Sequence, residues 1–227
     1  MERNSMELIV SDGIDISGPD DEKWMILRKQ FVENQGWMQV DGTDHDRYDR
    51  DPNTRQLVYR HCSKIMVGMR ITPVETCLES LSLEMMGDSH GMRSSVAGFL
   101  EGIEDNVSLF DITRMVADNP KSRGENIAIK QGIPKMLGAA FKYSMENTQD
   151  KNNILWMYAT TPEFYDVLIR MGIEQRLICH GYASDEDARN DVITYFCCTD
   201  PRQSFDALKN DDTLNSVNHG LGVNNPL

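Results

Sequence analysis

The stretch 56–72 places the tightest constraint on how this chain can fold. Runs 56–61 and 64–72 are rich in strand-forming residues. In the second, Ile65, Val67, Met69 and Ile71 alternate with Lys64, Met66, Gly68, Arg70 and Thr72. Only Cys62 and Ser63 separate the runs, so the spacing predicts an antiparallel hairpin. Arg70 therefore stands in a strand that otherwise reads as buried. A buried charge without a partner is costly, so this arginine requires a buried anion. Candidates flank it: Asp46 and Asp49 in the turn-rich stretch 40–52, and Asp111 three residues before Arg114. With Trp37, these residues either solvate separately or converge on one another and on a charged ligand.

The remaining pattern supplies the other elements. A strand is expected at 7–10. A helix begins near Asp20-Asp21-Glu22, whose carboxylates suit a helix N-terminus, and carries Trp24, Leu27 and Phe31 at helical spacing. A short helix over 77–86 leads into a polar Gly/Ser loop, followed by a strand at 107–116. A helix over 126–146 has a break or late start at Gly132-Ile133-Pro134. A buried strand at 154–159 is followed by Thr161-Pro162-Glu163, an N-cap with proline at the first helical position, and Gly172 closes that helix. Strands at 176–179 and 192–198 complete the set. The order predicts an α+β fold: a mixed, mostly antiparallel sheet with helices on both faces, a three-layer αβα sandwich. Residues 1–199 read as a single domain with a loose arm at 1–19, and 200–227 as a polar tail expected to be poorly ordered.

Composition excludes several functions. The 227 residues carry a formal net charge of −13, with no basic stripe for nucleic acid and no attraction to an anionic membrane surface. No apolar run approaches the ~20 residues that span a bilayer, and no apolar signal segment follows Met1, so the cytoplasm is the expected compartment. Five cysteines without C-x-x-C spacing and five scattered histidines indicate neither a disulfide framework nor a metal site; the thiols are expected to be buried.

Phe31-x₅-Trp37, then Asp44-x-Asp46-x-Tyr48-Asp49, then Val67-Gly68-x-Arg70-Ile71-x-Pro73, then Asp111-x-x-Arg114 resembles the acyl-homoserine-lactone synthase (autoinducer synthase) family, over roughly residues 20–180. That family's fold is similar to the GCN5-related N-acetyltransferases. The resemblance implies a reaction. The amine of S-adenosylmethionine attacks an acyl-carrier-protein thioester. The methionine carboxylate then closes a lactone and expels methylthioadenosine, the product being a quorum-sensing signal. S-adenosylmethionine is a substrate, and no cofactor is implied.

It also implies roles. Asp46, Asp49, Arg70, Asp111 and Arg114 form the catalytic set, with Asp111 helping to deprotonate the amine. Arg28, Phe31, Trp37 and Asp46 bind S-adenosylmethionine, the aromatics through apolar and cation–π contact. Thr160 matches a position associated with 3-oxo acyl chains, and Arg170, with Lys130 and Lys135, a carrier-protein docking face. The chain departs from the pattern in three places. Asp111 stands where the family has Glu, Leu27 where it has Arg (Arg28 is adjacent), and Met115 where many members have an aromatic. Residues 111 and 114 point to opposite faces of a regular strand, so their convergence requires a bulge near Ile112-Thr113. Two alternatives stay open: an acyl-CoA-dependent N-acyltransferase of the same fold, and a degenerate protein that binds S-adenosylmethionine without turnover.

Overall fold

The computed structural model describes residues 6–12, 24–30, 46–85, 92–100, 103, 107–148, 150–151, 153–182 and 185–208. The chain forms two compact units that interleave in sequence. The first holds the described residues up to Thr72 and Arg114–Ala140; the second holds Pro73–Thr113 and the described part of Phe141–Asp212.

In the first unit the strands run β1 (Met6–Asp12), β2 (Arg55–His61), β3 (Lys64–Val74) and the latter part of β4 (Ser108–Ala117), neighbours in that order. The hairpin β2–β3 turns on Cys62-Ser63, and Cys62 takes a φ of 55°, the left-handed geometry a two-residue hairpin requires. Pairing then passes from Arg60↔Ile65 to Tyr59↔Val67, so Met66 is an extra residue on β3. This bulge advances the register by one and sets Val58 opposite Gly68 and Gln56 opposite Arg70.

Helix α1, over 24–30, lies on that face. Trp24 is 1% exposed and packs with Leu27, Val58, Ile65 and Val116. Gly68 makes this possible, because a Cβ there would fall 2.2 Å from the Trp24 ring. Tyr59, one residue after Val58 and so on the opposite face, meets helix α4 (Arg123–Glu146). A Cβ on Gly132 of that helix would lie 2.6 Å from the Tyr59 ring. Helices thus cover both faces of these strands, and Ile65–Ile71 is buried throughout rather than alternately. The expected break at Gly132-Ile133-Pro134 does not occur: α4 is continuous, with Pro134 inside it.

The second unit holds the first part of β4, then β5 (Ile154–Thr160), β7 (Thr194–Thr199) and β6 (Arg176–Gly181), neighbours in that order. The β4–β5 pair is parallel, while the pairings β1–β2, β2–β3, β5–β7 and β6–β7 are antiparallel, giving the mixed, mostly antiparallel sheet expected. Cys77, Leu83, Val96, Leu109, Met157, Phe196 and Cys198 form its core. Helix α5 (Pro162–Arg170) starts on Thr161, whose hydroxyl accepts from the Phe164 amide, and Gly172 follows its end with a φ of 82°.

Three helices differ from the sequence expectation. α3 (Met92–Leu100) occupies part of the stretch read as a polar loop, and α6 (Asp185–Asn190) falls between two expected strands. α7 (Pro201–Leu208) begins the segment read as a tail, with Asp200 accepting from the Arg202 amide and Ser204 buried. Helix α2 is Leu81–Met85. Among the described residues no helix is long and apolar enough to cross a membrane.

Candidate active site

The first unit assembles the charged residues around a single 3-10 turn, Arg47–Arg50. Asp46 caps it by accepting from the Tyr48 amide at 2.9 Å, and the Asp46 amide donates to Asp49 Oδ2 at 3.0 Å. This reciprocal capping box fixes the two carboxylates relative to each other.

Three guanidinium groups close on them. Arg28 donates to Asp49 as a fork, Nη1 to Oδ1 at 2.7 Å and Nη2 to Oδ2 at 3.1 Å. Arg70 Nη1 donates to both oxygens of Asp46, at 2.7 and 2.9 Å, and to Asp49 Oδ1 at 2.8 Å. Arg114 Nη2 reaches Asp46 Oδ2 at 3.0 Å. The arginine that β3 carries into the core therefore has its buried anions. The sequence departure at Leu27 resolves too. Leu27 packs in the core, while Arg28, one turn after Trp24, is fully buried in the network.

Two residues absent from the sequence-derived set support it. Gln56, opposite Arg70, donates to Asp49 Oδ1 at 3.2 Å and accepts from Trp24 Nε1 at 2.9 Å. Tyr48 lays its ring against Arg70, 5.7 Å from the guanidinium carbon. A buried polar residue at the start of a strand was the available signal for Gln56.

Arg28, Asp49 and Arg70 are wholly inaccessible, whereas the Asp46 side chain keeps 13% of its surface and Arg114 6%. The network has a sealed end and an open end. At the sealed end, burial pushes the Asp49 carboxyl up. The Arg28 hydrogen bond, the charges of Arg28 and Arg70 and the Asp46 amide outweigh burial and hold it well below the usual carboxylate range. Among the described residues the cluster sets three guanidinium groups against two carboxylates, an excess of one positive charge. The open end can take an anionic ligand group at Arg114 and a cationic one at Asp46.

Arg114 has a φ of 55° within β4, so the strand is irregular at Arg114, next to the Ile112-Thr113 step. Asp111 is bonded to a different set of groups. Its Oδ1 accepts from the hydroxyls of Ser80 at 3.0 Å and Ser82 at 2.7 Å. Its Oδ2 accepts from the amides of Leu81 at 2.7 Å and Ser82 at 3.3 Å. These bonds occupy the roughly four lone-pair sites of a carboxylate. Asp111, fully buried, caps the start of α2 in the second unit. To accept a proton from substrate it would have to release one of those donors.

The remaining positions are scattered. Thr160 is buried at the end of β5, its hydroxyl 3.4 Å from the Thr161 carbonyl. Arg170 is exposed on the last turn of α5, its Nε donating to the Asp166 carbonyl at 3.1 Å. Lys130 is exposed on α4, whereas Lys135 is drawn over the Tyr59 ring at 5.1 Å, so it offers little charge to a partner. Phe31 and Trp37 lie outside the described residues. Among the described residues no group of three or more His, Cys, Asp or Glu is placed to hold a metal ion.

The fold is similar to that of solved acyl-homoserine lactone synthases and of an N-acyl amino acid synthase. TofI, solved in a ternary complex with an inhibitor and MTA, is 16% identical and covers 92% of this chain and 99% of its own, with a TM-score of 0.57. BjaI, a CoA-dependent acyl-homoserine lactone synthase solved with SAM and isopentyl-CoA, is 14% identical. The match covers 97% of this chain and 92% of BjaI, with a TM-score of 0.57. FeeM, an N-acyl amino acid synthase from uncultured soil microbes, is 9% identical and covers 88% of this chain and 94% of its own, with a TM-score of 0.56. No protein-family model matches the sequence, and no curated protein matches it.

Proposed function

We propose that this chain is an acyl-homoserine-lactone synthase. It joins an acyl group from a thioester to the amine of S-adenosylmethionine, then lactonises the product. The observation that carries the reading is the network of Arg28, Asp46, Asp49, Arg70 and Arg114, sealed at Asp49 and open at Asp46 and Arg114. S-adenosylmethionine carries a carboxylate, an ammonium and a sulfonium. Arg114 takes the carboxylate, and Asp46 takes the ammonium.

The ammonium gives up a proton to water and frees the lone pair for attack. The N–C bond forms, the thioester C–S bond breaks, and the thiol leaves with a proton. In the second step the substrate carboxylate attacks its own γ-carbon. The C–O bond forms, the C–S bond to the sulfonium breaks, and methylthioadenosine departs neutral. Asp49 acts through its neighbours as a positioning residue, holding Arg28 and Arg70. Thr160 lies along the acyl chain. The donor is an acyl carrier protein, docking through its acidic face on exposed cations such as Arg170 on α5. The total of −13 opposes that encounter, so local cations must supply the attraction.

The test is direct. Purified protein receives S-adenosylmethionine with a panel of acyl-carrier-protein thioesters or acyl-CoAs, and the products are read by mass spectrometry. A lactone with methylthioadenosine is the expected result. A plain amide on another amine would favour the N-acyltransferase, and binding without product the degenerate protein. Lactone formation unchanged in Arg70→Ala or Asp46→Ala would refute this placement of the site.

A further inference from the structure

A cavity of about 320 Å³ opens in the second unit, at the N-terminal ends of β4 and β5. Phe99, Ile103, Val107 and Leu155 give it apolar walls. Its rim is charged. Arg202 is consumed by Asp200, with Nε on Oδ1 at 3.0 Å and Nη2 on Oδ2 at 2.5 Å. Arg176 has a different setting. Its guanidinium carbon lies 4.7 Å from the Phe99 ring centroid, and among the described residues no carboxylate pairs with it. The lining thus sets one cation, without a carboxylate partner among the described residues, beside a hollow of mixed polarity, with Asn153 and the Asp200–Arg202 pair on its walls besides the apolar groups.

Size and polarity select the occupant. At roughly 30 Å³ per group, the share of a water molecule in the liquid, the volume admits about ten non-hydrogen atoms. An eight-carbon carboxylate has that count, one anionic end and an apolar remainder. We propose that this cavity binds a medium-chain monocarboxylate, its head on Arg176 and its tail along Phe99, Ile103, Val107 and Leu155. The site lies wholly within the second unit, and the inference is independent of the arginine network.

Gly98 supplies the decisive variant. It lines the cavity, and a Cβ built on it meets nothing within 4 Å, so the position has room for a side chain at the cavity wall, and Gly98→Leu is the variant that narrows the hollow. Sodium octanoate, octan-1-ol and sodium acetate are titrated calorimetrically into the full-length protein. Octanoate binds at one site, octanol at least about tenfold more weakly for want of the charge-assisted bond, and acetate not measurably. Arg176→Gln reduces octanoate to the level of octanol. Gly98→Leu abolishes octanoate binding and leaves the melting temperature the same or higher, since leucine also favours the helix. Absence of octanoate binding to the wild type would overturn the proposal. So would octanol binding as tightly as octanoate, or undiminished octanoate binding in either variant. Arg176→Gln alters an exposed side chain and provides the test should Gly98→Leu fold poorly.

Discussion

Asp49→Asn isolates what the sealed end of the network contributes. The Asp49 carboxylate accepts the Arg28 fork at 2.7 and 3.1 Å, Arg70 at 2.8 Å, Gln56 at 3.2 Å and the Asp46 amide at 3.0 Å. Asparagine keeps the shape but removes the charge and turns an NH₂ toward a guanidinium. Two fully buried arginines are then left to one partly exposed carboxylate. Breaking a buried ion pair from one side costs about 3–5 kcal/mol. That is a large share of the roughly 5–15 kcal/mol of a typical fold. With a urea slope of about 1–3 kcal/mol per molar, the unfolding midpoint falls by on the order of 1–5 M.

The pH dependence has a definite sign. Because the folded carboxyl is held below its ordinary value of 3.8, its ionisation stabilises the fold above that value. The contribution is lost as pH falls through the lowered folded value. The gap between wild type and Asp49→Asn in urea titrations is therefore constant at neutral pH and narrows below about pH 4. A midpoint within about 0.3 M of wild type at pH 7, or a gap that widens on acidification, would refute the reasoning.

Three further outcomes are expected. Gly68→Ala drives a Cβ into the Trp24 ring at 2.2 Å and costs at least about 1–3 kcal/mol, seen as a lower urea midpoint with altered tryptophan fluorescence. Arg114→Gly removes a left-handed non-glycine residue, worth about 1 kcal/mol or more, while losing the bond to Asp46. Stability stays near wild type, and S-adenosylmethionine binding measured by calorimetry weakens at least about tenfold. Burial pushes the thiols of Cys77 and Cys197 up to about 12 and Cys198 to about 11, so at pH 8 an aromatic disulfide reagent leaves all three unmodified in the native protein and reacts with them in urea.

The parts legible in the sequence are those governed by local pattern. The β2–β3 hairpin follows from two residues between two alternating runs, and α5 from Thr161, Pro162 and Gly172 at its ends. Arg70 announced its own need, since a lone arginine in a buried strand has few other solutions. Long-range register was not legible. A two-residue turn with regular pairing would set Gln56 opposite Met69; the extra residue at Met66 sets it opposite Arg70, and so brings Gln56 to Asp49. The surroundings of Asp111 were not legible for a related reason. Spacing gives its distance from Arg114 along the chain, but its four donors come from residues 80–82, thirty positions away. Helix α7 was hidden because its segment is polar, and Ser204 is buried through contacts with Glu174 and Thr199.

Sharing Asp46 among three arginines makes the open end of the network a place of exchange. Arg70 and Arg114 are already bonded to it, and Arg28 stands 3.9 Å away. An arriving anion competes with a resident carboxylate for the same donors, and whatever it gains from Arg114 is subtracted from Asp46. A simple acid would strand that carboxylate, partly desolvated and underpartnered. A molecule that brings its own cation replaces what it removes, so on the proposed reading the site would favour zwitterions over simple acids.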